Sequence, residues 1–170
     1  MAMKLILMFV VLAAIPTLAF ATPPDVKEIE DATKNMIECA AIANEIAAMK
    51  VPEGHAKARA AAFHNTTATN PKAKIAVEPA HDQFMKDMKL RTDRLEACGK
   101  THEANYKASE ARLDFLAKAD LKEEDGKAVG DRIEKYHDAK EKLEVAINAL
   151  SKDRQVQSYV HKILLAHFLK

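Results

Sequence analysis

Apolar and small residues recur along this chain at alternating spacings of three and four, in separate stretches. Val26, Ile29, Thr33, Met36, Ala40, Ala43 and Ala47 form a first stripe that ends near Lys50, ahead of Val51-Pro52-Glu53-Gly54. A second runs through Phe84, Met88, Arg91, Leu95, Cys98, His102, Asn105, Ser109, Leu113 and Leu116. A third joins Val129, Ile133, Tyr136, Lys140, Leu143, Ile147 and Leu150. Such spacing places each set on one face of an α-helix. The second stretch predicts one continuous helix from Pro79 to Lys118, about 57 Å long at about 1.5 Å per residue. It is a heptad seam that turns polar in its middle, at His102, Asn105 and Ser109. Gly99 inside it marks a kink or a close approach of another element. A last stripe, Val156, Tyr159, Val160, Ile163, Leu164 and Phe168, predicts a C-terminal helix capped by Ser151 or continuous with its predecessor. A short helix is expected over His55 to His64.

Local punctuation supports these limits. Thr22-Pro23-Pro24-Asp25 and Asp120-Leu121-Lys122-Glu123 both read as capping boxes, with proline suited to the first turn. Asn65 to Glu78 is the least regular stretch and contains the Asn70-Pro71 turn signal. The predicted fold is all-α: an elongated antiparallel bundle of three long helices plus one or two shorter ones, with coiled-coil-like seams. Counting outward from a turn at Ala119-Asp120 puts Leu95 level with Leu143 or Glu144, and His102 level with His137. A central layer of Met36, Cys39, Cys98, His102, Glu134, Tyr136 and His137 is then expected.

The N-terminus changes the picture from a helical protein to an exported one. Met1–Ala21 has a single positive charge at Lys4, an apolar run from Leu5 to Ala14, and the small-x-small close Ala19-Phe20-Ala21. This is the pattern of a cleaved signal peptide, and its apolar run is too short to span a bilayer. Residues 22–170 are then a single helical-bundle domain without a transmembrane segment, extracellular or, in a bacterium, periplasmic. The chain has 26 Lys+Arg and 25 Asp+Glu. Loss of Lys4 leaves 25 of each, which argues against nucleic acid as a partner, because phosphate neutralisation needs a basic surplus. Cys39 and Cys98 are the two cysteines, and in an oxidising compartment they are expected to form one intrachain disulfide. Asn65-Thr66-Thr67 is a sequon, so Asn65 is a glycosylation candidate if the source is eukaryotic.

Enzyme signatures are missing. There is no Gly-x-Ser-x-Gly, no His-Glu-x-x-His and no glycine-rich phosphate loop. Asp120 to Gly126 fails as a calcium loop, since Lys122 sits at a ligand position. Glu134-Lys135-Tyr136-His137 and Glu78-Pro79-Ala80-His81 are two Glu-x-x-His segments, but they fall at different levels of the bundle, His81 being opposite the last helix. His102, His137 and Glu134 are the metal candidates, and Met36 with either histidine is the haem candidate. No motif requires a cofactor. The expected function is non-catalytic: a secreted binding or interaction protein acting through a helical face or an apolar groove of its amphipathic bundle, toward an extracellular protein partner or a small hydrophobic ligand, or by self-association. The alternative is a carrier of a small hydrophobic ligand or lipid, in a groove lined by Ile163, Leu164 and Phe168 on the most apolar segment. A haem or metal bundle through the histidine layer is the third reading.

Overall fold

A computed structural model describes residues 24–67 and 79–169. Met1–Ala21, Thr22, the Asn70-Pro71 turn and Glu78 lie outside the described residues. Within them every regular element is helical: α1 Lys27–Ala47, α2 His55–Thr67, α3 Pro79–Lys118, α4 Glu123–Lys152 and α5 Gln157–His167. The limits of α3 are those read from the sequence. Ion pairs one turn apart solvate its outer face, among them Lys89–Asp93 (2.7 Å), Glu96–Lys100 (2.8 Å) and Asp114–Lys118 (2.7 Å). On α4, Asp138–Lys142 closes at 2.7 Å in the same way.

The helix starts differ from the capping boxes. α1 begins at Lys27, whose N–H donates to the Asp25 carboxylate (3.0 Å). Asp25 therefore acts two residues ahead of the group it satisfies, as an Asx turn does, and not from inside the helix. Lys122, not Asp120, occupies the N-cap of α4 without a side-chain bond. Glu123, Glu124 and Asp125 favour that end through the helix dipole instead. Ser151 lies inside α4 and donates to the Asn148 carbonyl (2.9 Å). The chain turns at Asp153, whose carboxylate accepts from the Gln155 N–H (2.9 Å), so α4 and α5 are two helices. α2 runs to Thr67, which puts Asn65 on its last turn. Gly54 precedes α2 with φ +76°, a left-handed conformation that glycine adopts without strain.

α1 packs along both long helices, and α5 packs against both as well. The two therefore occupy opposite grooves of the α3/α4 pair. α1 runs antiparallel to α3, pinned at one end by Arg112 donating to the Asp25 carbonyl and at the other by Arg94–Glu45 (2.8 Å). It runs parallel to α4, where Arg132 reaches Glu30 (2.6 Å). The Cys39–Cys98 disulfide joins α1 to α3 midway. Because α1 lies between two partners, it buries more than one stripe. Ala32, Cys39, Ile42 and Ile46 are as inaccessible as Ile29, Met36 and Ala43.

The two long helices meet each other through polar groups. Tyr136 and Ser109 are both 0% exposed, and their hydroxyls are 3.1 Å apart. The Tyr136 hydroxyl donates to Glu110 (3.0 Å), and burial pushes its pKa up to about 12. The Lys140 ammonium donates to the Tyr106 hydroxyl (3.2 Å). These pairs fix the register and correct the one counted from the turn. His102 is level with Leu143 and Glu144, about two turns away from His137. The connection spans Ala119 to Lys122, and packing of both helices on α1, not the turn, sets their stagger.

Candidate functional site

The space between α3 and α4 is filled by α1 on one side and by α5 on the other, but α5 is short. It ends before it reaches the Ser109–Tyr136 layer. The gap left beyond its end is a cavity of about 460 Å³, within the range of about 300–1,000 Å³ usual for small-molecule sites. Met36 of α1 contributes from below, Leu143 and Ile147 from α4, and Phe168 from the end of α5. His102, Tyr106 and Lys140 supply the polar wall.

Gly99 makes this arrangement possible. A β-carbon there would stand 2.8 Å from Cβ of His167 and 3.0 Å from the Phe168 ring, closer than real side chains approach. Of the two expectations for Gly99, a kink or a close approach, the second is the one met, and it is the seat of α5. Phe168 then stacks on His102, with ring centroids 5.5 Å apart and planes 19° apart. The Nδ1 atoms of His102 and His167 are buried without a hydrogen-bond partner among the described residues. Burial, and then the Lys140 charge, hold His102 below the ordinary histidine pKa. The imidazole is therefore neutral at neutral pH.

The residues singled out from the sequence are distributed unevenly. Met36, His102 and Phe168 face the same cavity. Leu164 is a core residue at 1% exposure, and Ile163 packs against that core. His137 and Glu134 are exposed on α4, so the expected histidine layer does not assemble around them. Among the described residues no three His, Cys, Asp or Glu side chains converge as a metal site would need. Lys140 appeared in the α4 seam, and a lysine between buried Tyr136 and Leu143 was the available signal for a polar wall. Tyr106 and His167 carried no such signal, since neither holds a stripe position.

A second cluster lies where α2, α3 and α5 meet. His55 Nε2 is 2.8 Å from the Tyr159 hydroxyl, and His55 Nδ1 is 3.1 Å from Nδ1 of buried His81. Phe84 and the Arg59 guanidinium pack on the same rings. Only one proton fits between the two Nδ1 atoms, so one ring donates across this contact and the other accepts. Burial first, then His81 and Arg59, lower the His55 pKa. A base whose folded pKa is depressed stabilises the fold above its ordinary value near 6.5 and loses that contribution as pH falls through the lowered value. Denaturant midpoints are therefore expected to fall between pH 7.5 and pH 5, and His55→Gln to flatten part of the fall. An unchanged wild-type midpoint across that interval contradicts the assignment.

Among the described residues no helix is long and apolar enough to cross a membrane. No family model, no curated protein and no solved structure matches this chain.

Proposed function

We propose that this chain is an exported, non-catalytic binding protein that carries one small hydrophobic molecule in the cavity between α3 and α4. The observation that carries this reading is the cavity itself, with Met36, Leu143, Ile147 and Phe168 around a space no side chain fills. The leader pattern of Met1–Ala21 and the Cys39–Cys98 disulfide support export into an oxidising compartment. The neutral, finely mixed surface charge suits a soluble carrier better than a nucleic-acid or membrane-surface binder.

Neutral 1-aminoanthracene is the direct probe, titrated into the oxidised mature chain and followed by fluorescence. One saturable site per chain is expected. Leu143→Trp, which fills the cavity, should weaken it at least tenfold while the far-ultraviolet circular dichroism stays helical. Absence of saturable binding to the wild type sinks the carrier reading. The exposed Ile37 and Val145, which flank a shallow groove between α1 and α4, favour a protein partner as the second reading. A chain that takes no probe but self-associates in sedimentation would point there.

A further inference from the structure

We infer that the occupant of this cavity is a monoanionic amphiphile, a carboxylate on an apolar tail, whose head group is held by Lys140 beside the Tyr106 hydroxyl. The inference rests on the carrier reading and adds the chemical class of the ligand.

The starting point is the position of Lys140. It is half-buried on the seam of α4, between the buried side chains of Tyr136 and Leu143. A lysine in such a place spends its stem on packing and keeps its charge at the edge of the site. Its ammonium donates to the Tyr106 hydroxyl at 3.2 Å and lies 5.0 Å from the centre of the Tyr106 ring. Among the described residues it forms no ion pair within 4.0 Å. An ammonium has three donors, so the contact to Tyr106 leaves capacity for a ligand oxygen. The Tyr106 hydroxyl, first among the causes, holds the Lys140 pKa above the ordinary lysine value, and the group stays cationic at neutral pH.

The other charged groups on the rim limit the head group to one negative charge. Glu103 is paired with Lys107 at 3.4 Å, and Glu110 accepts from Tyr136. Glu144 stands on the rim one turn from Lys140 and opposes any anion there, a dianion about twice as strongly as a monoanion. His102 is neutral, so it offers hydrogen bonding without further charge, and its Nδ1 is without a partner among the described residues. The wall therefore presents one cation that has no ion pair within 4.0 Å, in the field of Glu110 and Glu144, beside the neutral polar groups. Met36, Leu143, Ile147 and Phe168 offer the apolar remainder of the site to a tail.

The test is displacement of bound 1-aminoanthracene by decanoate, decanol and decylamine, which share a tail and differ in head group. Decanoate is expected to displace the probe at a concentration at least about tenfold lower than decanol, as a charge-assisted hydrogen bond allows. Decylamine should be the weakest. Lys140→Met, which keeps the apolar stem, should erase the preference for the acid and leave decanol unchanged. Lys140→Arg should retain it. Equal displacement by decanoate and decanol, or the strongest displacement by decylamine, overturns the inference while probe binding still stands for the carrier reading. Failure of the probe to bind at all removes the carrier reading itself, and the inference with it.

Discussion

Cys39→Ser/Cys98→Ser is expected to lower the stability of this bundle by about 4 kcal/mol, from the entropy the bond removes from the unfolded chain. The bond closes a loop with a sequence separation of 59 residues, long enough for a large effect. It also ties α1 to α3 midway, where Cys39 and Cys98 are both buried. In a domain of this size the loss corresponds to a fall of roughly 10 °C in melting temperature. Reduction with a thiol should reproduce the effect in the wild type and leave the double variant unmoved. Thermal or urea unfolding with and without reductant reads both. Equal midpoints for the oxidised wild type and the double variant would show that α1 is held by packing alone.

Met36→Ala should cost about 2–5 kcal/mol, the range for truncating a long apolar side chain in a core. Met36 is 0% exposed and sits on α1 where it faces both long helices and the cavity. Its removal joins a new void to an existing one, so the surroundings cannot collapse to fill it. Met36→Leu, which conserves most of the volume, should cost less than about 1.5 kcal/mol. The two variants should differ in urea midpoint but not in the denaturant slope. The Ala variant should also change its affinity for aminoanthracene, because the same side chain lines the site. A Met36→Ala midpoint within error of wild type is incompatible with α1 lying between two helices.

Much of the fold was legible because helical periodicity is a property of each segment alone. The alternating spacing from Phe84 to Leu116 was enough to give α3 its limits at Pro79 and Lys118. The same argument gave one stripe on α1 but missed Ala32, Ile42 and Ile46, which are buried only because α1 has partners on two sides. Capping was less legible. The N-caps are Val26, Lys122 and Val156, none with a side-chain cap bond, because packing of the helices and not a local polar side chain decides where each begins. Polar positions in the seam were found, but their roles were not. Ser109 pairs with Tyr136, and Lys140 with Tyr106, a register that depends on how both helices settle against α1.

The sequence alone determined the helical class, the stripes that become the core and the pairing of Cys39 with Cys98; for Gly99 it left a kink and a close approach open. The first two follow from short-range periodicity, and the disulfide from there being two cysteines to pair. Only the tertiary structure decided that His102 faces Leu143 and not His137, that His55, His81 and Tyr159 meet, and that α5 stops short of the Ser109–Tyr136 layer. These depend on the relative sliding of helices, which non-local packing fixes and no local spacing records. The cavity belongs to this second group. It exists because one helix ends before its groove does.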